Sequence, residues 1–440
     1  MENQISIRRA SALLVSALCT TVSPALASEP VNEAPASFPT IEQPAAESES
    51  GWTYDPGKGL TYSSADGDKT VKFGGRIMND WVFQSADEGT KDIDPDNRFY
   101  DGTEFRRARI EVSGTLYEAV SFKASYDFAG GDADFKDVWI GIHDIVGSTD
   151  VKVGQFKEPF SLEELTSSKY ITFMERALPV GLAPSRNTGG MLHDHYDGSK
   201  ATWALGVFRD TDAYGDSTQE KDGAYNVTSR VTWAPVHNDD ASSVVHLGLA
   251  GSWRRPESGD ARVRTRPENH MAPYVLDTRN GGSDLMTDQI TNYGAEVAWV
   301  GGPWSVQAEY IAQSISGVGG AEDVDTTGYY AFVSWFVTGE HRTYKAKNGA
   351  FGRVKPNKNY GKDGAGAWEL ALRYSNLDID APAAVSPLAG NLNDITLGAN
   401  WYLNPNTRIM FNYVMGDLDS NTDAYDGNIT AFMMRFQVDF

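Results

Sequence analysis

The strongest constraint in this 440-residue chain is a period of two. At its C-terminal end Thr430, Phe432, Met434, Phe436, Val438 and Phe440 share one face of an extended strand, and Ala431, Met433, Arg435, Gln437 and Asp439 share the other. One face can meet lipid while the other meets water. The same alternation sets Ala108, Ile110 and Val112 against Arg107, Arg109, Glu111 and Ser113, and Trp368, Leu370, Leu372 and Tyr374 against Glu369, Ala371, Arg373 and Ser375. Beyond Gly51 no apolar run approaches the ~20 residues of a membrane helix; the best, Ala331–Val337, is interrupted by Ser334. A chain patterned this way crosses a membrane with strands.

Strands are expected near 69–83, 103–117, 119–128, 135–143, 149–156, 187–194, 200–208, 224–234, 244–253, 291–300, 304–315, 326–337, 366–377, 391–403, 407–416 and 428–440. The fold class is therefore all-β, a transmembrane antiparallel β-barrel of about 16 strands with an open lumen. A soluble β-sandwich shows the same period, but two features separate them. Short connections such as Leu116–Ala119, Val300–Trp304 and Leu403–Thr407 alternate with long ones such as Arg254–Ile290 and Thr338–Ala365, as periplasmic turns alternate with external loops. The chain also ends in an aromatic strand, Phe436-Gln437-Val438-Asp439-Phe440, the kind of terminus that outer-membrane assembly machinery reads.

Composition agrees. Gly at 43, Tyr at 20, Phe at 19 and Trp at 11 favour turns and strands over helices. A net charge of −22 argues against nucleic acid as a partner, because phosphate neutralisation needs a basic surface. Residues 1–27 read as a signal peptide: Arg8 and Arg9, an apolar stretch from Ala10 to Val22, then Ala25-Leu26-Ala27 as the cleavage signal. A lipoprotein site at Cys19 is the competing reading, disfavoured by Leu18 before it. Cleavage removes the single cysteine, so disulfides and thiol chemistry are excluded. Residues 28–50, with five Glu and four Pro, read as a disordered acidic tail, and 51–440 as the barrel domain.

Enzymatic motifs are absent from the sequence: there is no G-x-S-x-G, no P-loop and no paired-cysteine site. The chain reads as a channel without a cofactor and not as an enzyme, a barrel phospholipase using a His and a Ser being the alternative of another class. Asp92-Ile93-Asp94-Pro95-Asp96-Asn97 approaches a calcium loop but has Asn97 where Gly is needed and Thr103 where Glu is needed. No metal site is expected there, nor at His193 and His195.

The run from Val153 to Leu178, Val-Gly-Gln-Phe-Lys-Glu-Pro-Phe-Ser-Leu-Glu-Glu-Leu-Thr-Ser-Ser-Lys-Tyr-Ile-Thr-Phe-Met-Glu-Arg-Ala-Leu, resembles the signature of the phosphate-selective porin O and P family. Phe105-Arg106-Arg107-Ala108-Arg109, Arg262-Val263-Arg264-Thr265-Arg266-Pro267, Thr338-Gly339-Glu340 and Asn400-Trp401-Tyr402 add to the likeness, which spans about 71–440. The resemblance implies a homotrimeric sixteen-stranded porin in the outer membrane of a Gram-negative bacterium, in contact with its lipid. It further implies that the signature loop folds into the lumen as the constriction and that an arginine ladder leads anions to it.

Strand parity then puts Arg76, Arg107, Arg109 and Lys123 in the lumen, and gives Arg106 the lipid-facing parity at a height above the membrane. Arginine suits the task because its planar fork holds phosphate oxygens in two directions. In the loop, Lys157, Lys169 and Arg176 are candidate phosphate contacts, with Ser167 and Ser168 as hydroxyl donors. Arg262, Arg264 and Arg266 share one parity and would form a basic line at the external mouth. Asp127 would accept from a protonated phosphate or pair with Lys123. Family members with phosphate preference carry a lysine where this chain reads Leu162-Glu163-Glu164-Leu165, so these glutamates either anchor the loop or lower selectivity. The expected function is an anion-preferring channel for passive uptake of phosphate or polyphosphate; the alternative is a general or organic-anion, small-solute porin. An anion preference requires that several of Glu111, Asp127, Glu158, Glu163, Glu164 and Glu175 be spent in ion pairs or turned away.

Overall fold

The computed structural model describes residues 50–55, 59–198, 200–217, 224–279, 282–361 and 364–440. The expected signal peptide and nearly all of the expected acidic tail lie outside these residues. Sixteen long strands are present among the described residues: β1 (Lys69–Ala86), β2 (Gly102–Leu116), β3 (Val120–Asp127), β4 (Asp134–Val146), β5 (Thr149–Lys157), β6 (Arg186–Tyr196), β7 (Ala201–Arg209), β8 (Asn226–His237), β9 (Ser243–Arg254), β10 (Leu285–Gly301), β11 (Trp304–Gly317), β12 (Val324–Phe336), β13 (Ala367–Asp380), β14 (Gly390–Asn404), β15 (Thr407–Ser420) and β16 (Gly427–Asp439). Each pairs antiparallel with the next, and β16 returns to β1 from Ile429 opposite Ala86 to Asp439 opposite Arg76. That pairing closes the sheet and leaves the barrel without a free edge.

The strand count and the period agree with the sequence, and the exceptions are informative. β10 begins at Leu285, six residues before its expected start, and a hairpin of Gly51–Asp55 and Gly59–Ser63 adds to the start of β1. The connection Thr338–Ala365, expected among the external loops, follows an even-numbered strand. It therefore lies at the end that carries the short turns and the barrel's two termini, called here the turn-side rim. Arg353 bonds Asp439 and the Pro405 carbonyl there, and the His341 ring meets the Asp240 carbonyl at 2.8 Å.

Outward faces are apolar, with aromatic residues near the rims. Trp304 stacks on Trp335 and Trp368 on Trp401, both at 5.3 Å, while Phe83 faces Phe432 at 6.4 Å. Such girdles place amphipathic rings at the membrane interfaces.

Inward faces were expected to meet water, yet Arg373 and Arg435 are fully buried. Three connections fold inside the barrel, and the first two hold these arginines through Glu163, Glu175 and Glu268. The first is the signature segment, residues 158–185, whose apolar side chains Phe160, Leu178 and Leu182 pack with Val263, Val275 and Leu276 of the β9–β10 connection and with Ile311 and Ile315 of β11. The third, from the β12–β13 connection, reaches the signature segment where the Phe351 amide donates to Thr166 Oγ1 at 3.3 Å.

A chain segment inside a barrel must have its backbone polar groups satisfied by the wall. The Glu309 carboxylate accepts from the amides of Leu162 and Glu163 at 2.9 and 2.8 Å, where a one-turn helix, Leu162–Leu165, begins. Farther along, Asn412 accepts from the Met174 amide and Ser375 from the Leu178 amide, while Asn400 and Asn292 donate to the carbonyls of Thr172 and Leu182. Arg435 gathers three elements: it pairs with Asp80 on β1 at 2.7 and 2.6 Å and with Glu175 at 2.8 Å, and donates to the Met174 carbonyl.

Two outcomes follow. Phe440 exchanges two ladder bonds with Gly75, at 3.0 and 3.2 Å, so deleting it is expected to cost about 1–3 kcal/mol at the closing seam and to lower the yield of heat-modifiable folded barrel on gels. Arg435→Ala strands Asp80 and takes from Glu175 one of its two cations, which is expected to cost about 3–5 kcal/mol. Thermal melts should show the barrel unfolding at lower temperature, and single-channel records should show a larger, noisier conductance as the segment loosens.

Candidate functional site

Because the inserted segments fill the β9–β16 half, the open space lies against β1–β8. It is a cavity of about 510 Å³, and among its described lining residues twelve are Lys or Arg and two are Asp. The strands supply Arg76, Arg107, Arg109, Lys123, Lys152, Lys157, Arg186 and Arg230; the signature segment supplies Lys169 and Arg176; the β12–β13 insert supplies Lys345 and Lys347. Every cation placed in the lumen from strand parity and the signature lines this cavity, as do Ser167 and Ser168.

The six acids expected nearby are all engaged, and none lines the cavity. Glu111 is shared by Arg76 at 3.4 Å, Lys123 at 3.2 Å and Lys169 at 3.0 Å. Asp127 pairs with Arg109 at 2.7 Å and also accepts from the amides of Ala108 and Ala129, so it meets neither Lys123 nor the cavity. Glu158 is completely buried and holds Arg254 at 2.9 Å. Glu163 accepts from the Ala177 amide at 3.1 Å and lies 3.5 Å from Arg373. Glu164 pairs with Lys157 at 3.0 Å and Arg176 at 3.1 Å. Burial alone would push the Glu164 carboxyl up, but these two cations hold it at about 2. Glu175 pairs with Arg435 and Arg106.

The cations are also positioned by neighbours. Arg76 donates to Ser168 Oγ at 2.8 Å and to Ser167 Oγ at 3.4 Å, fixing the segment's hydroxyls against β1. Arg176 donates to the carbonyls of Glu163, Glu164 and Thr166, closing the end of the one-turn helix. Arg107 differs. Among the described residues it forms no ion pair; its Nη1 meets Met78 Sδ at 3.6 Å, and its buried Nε has no hydrogen-bond partner.

Several expectations need correction. Arg106 does not face lipid: Met78 opposes Arg107 and Asn79 opposes Phe105, so Arg106 is the extra residue of a β-bulge, and its guanidinium grips Glu175 with two bonds of 2.9 Å. Arg262, Arg264 and Arg266 do not make a free basic line. Arg262 is held by both oxygens of Asp277, and Arg264 and Arg266 each lie 4.1 Å from the centre of the Tyr274 ring. Arg262 and Arg264 border a separate cleft beside Leu182 and Gln313. Lys152 and Arg230 were not singled out, although the parity of their expected strands carried them, and Arg186 stands one residue before its expected strand. Lys345 and Lys347 had no such signal, since the insert that bears them has no period.

A profile of the family described as "Phosphate-selective porin O and P" matches residues 71–440. Porin O of Pseudomonas aeruginosa is 29% identical over 418 residues, covering 87% of this chain and 91% of that protein. Among solved structures, the anion-selective porin from Comamonas acidovorans superposes with a TM-score of 0.52 at 14% identity, covering 84% of this chain and 100% of that one. The outer-membrane channel DcaP of Acinetobacter baumannii gives a TM-score of 0.50 at 11% identity, over 84% and 97%. The two superpositions speak for the barrel fold, and the profile match together with the length shared with Porin O places the chain plainly: it belongs to the phosphate-selective porin O and P family.

Proposed function

We propose that this outer-membrane porin is an anion-preferring channel through which phosphate or polyphosphate enters by passive diffusion, and that it assembles as a homotrimer. The observation that carries the reading is the charge of the cavity. The sign of the field at a narrow passage is set by the groups that line it, and the net charge of −22 belongs largely to residues elsewhere. Twelve lining cations against two lining acids favour anions.

In this reading the segment 158–185 forms the constriction, and Arg107, Arg109, Lys157, Lys169 and Arg176 line the narrow part with Arg76 and Lys123. Among the lining arginines Arg107 is the one offered to an incoming oxyanion, since no carboxylate among the described residues takes its guanidinium. Ser167 and Ser168, bonded by Arg76 through their oxygens, keep their hydroxyl protons for a phosphate oxygen. Asp127 orients Arg109 and contacts no ion. Glu163 and Glu164 serve as anchors, which supports the first of the two roles weighed for them. Arg264 and Arg266, stacked on Tyr274, present cations at the loop-side entrance. Release is easy because most lining cations already share a carboxylate, which keeps each contact weak enough to leave. The family and the name of the Pseudomonas relative support phosphate as the anion. The outward apolar band faces lipid, and the strand ending at Phe440 is the segment offered to the assembly machinery.

The test is block of chloride current by inorganic phosphate in planar bilayers. Wild-type channels should be blocked, and replacing Arg107 and Arg109 together by Ala should raise the half-blocking concentration about tenfold or more, the effect of losing charge-assisted hydrogen bonds. Equal block of the wild type and the double variant would remove these arginines from the path.

A further inference from the structure

Toward the turn-side rim, past the ring of paired charges, the lumen wall changes character. On β4 to β7 the cavity is lined by Trp139, Phe156, Met191 and Ala204, with Lys152 and His193 among them. Phe156 packs edge-on against Phe208 at 5.5 Å, and these rings form one apolar cluster with Met191 and Trp139. Aromatic surface beside a path for small hydrated anions gives such ions nothing, since phosphate and chloride gain no free energy from apolar contact.

The backbone is adapted to this surface. Trp139 lies opposite Gly154, whose φ is +130°; a Cβ there would stand 2.7 Å from Trp139 Cα and 3.0 Å from its Cβ. A Cβ on Gly141 would come within 3.3 Å of the indole. Gly154 leaves room for the Trp139 backbone and Gly141 for its indole, and Trp139 stays half-buried with surface toward the cavity.

Over that ring stands a cation without a carboxylate. Lys152 Nζ is 4.7 Å from the Trp139 centroid and 5.4 Å from that of Phe156. Of the two acids lining this wall, Asp137 is taken by Arg186 at 2.9 Å and Lys123 at 3.5 Å, and Asp194 accepts from Ser148 Oγ at 2.8 Å and the His195 amide at 2.6 Å. Among the described residues Lys152 has no ion pair, so its ammonium holds charge for an anion that is not part of the protein.

We infer that Lys152 and the Trp139–Phe156–Met191 wall form a second anion subsite, which takes phosphate monoesters with a flat apolar body: the phosphate meets Lys152 and the body lies along the aromatic wall. The inference rests on the anion-channel reading and narrows its substrate class from phosphate alone to phosphate and its esters.

Planar-bilayer block compares phenyl phosphate with inorganic phosphate on the same wild-type channels, after their reversal potential under a salt gradient has been recorded. An added ring contact of ordinary strength should make phenyl phosphate block at about threefold to tenfold lower concentration. The ratio should fall toward one in Trp139→Ala and in the milder Trp139→Leu, which guards against a folding defect in the first. Anion-selective channels on which phenyl phosphate blocks no better than phosphate would overturn the subsite and leave the channel reading standing. A preference for phenyl phosphate that persists in both variants would likewise reject this wall as its source. A cation-selective reversal potential would reject the channel reading itself, and the subsite with it.

Discussion

The arrangement depends on ion pairs formed away from the open space. A barrel of this width has more inward-facing charge than a narrow passage can leave unpaired, and a segment laid across it needs partners at nearly every turn. Both demands are met by the same contacts. Glu163, Glu164 and Glu175 hold the segment 158–185 through Arg373, Lys157, Arg176, Arg106 and Arg435, and in doing so remove three acids from the lumen. On the opposite wall Glu111 does the same through Lys169, and Asp127 is taken by Arg109 of the neighbouring strand. Cations are left lining the path because the acids are used in construction. Such buried pairs contribute little net stability by themselves, but removing one partner is expensive, which makes the segment's position specific.

Three inserted connections then give the lumen its shape. They fill the side of β9–β16 with a packed core that includes Val275, Leu276, Ile311, Ile315 and Leu392, and they push the water-filled part against β1–β8. The two halves of one barrel thus obey different rules. Where inward residues meet the inserts, polar side chains such as Asn292, Ser375, Asn400 and Asn412 are spent on backbone groups; where they meet the cavity, long basic side chains reach into it.

Much of this was legible in the sequence because strand geometry has a period of two and leaves few choices. Sixteen alternating segments predicted sixteen strands, and parity alone put Arg76, Arg107, Arg109 and Lys123 on the inner face. The failures have physical causes. A bulge at Arg106 shifts the parity by one, and nothing in Phe105-Arg106-Arg107 announces it. The Thr338–Ala365 connection was assigned by its length, whereas counting strands would have put it at the turn-side rim. Its interior position depends on long-range contacts such as Phe351 with Thr166 and Arg230 with the Gly349 carbonyl, which no local pattern encodes. The Asp277 partner of Arg262 and the Tyr274 ring between Arg264 and Arg266 were equally beyond reach, since a parity argument sees no loop folding back on itself.

The central claim is that the glutamates near the lumen are held in ion pairs off the path, while the cations they share still line it. The most direct measurement is the zero-current potential of the purified protein in a planar bilayer under a tenfold potassium chloride gradient at neutral pH. The account predicts a potential of the sign that marks chloride as the more permeant ion. A potential of the opposite sign would mean that the glutamates of the signature segment govern the passage, and the account would be contradicted.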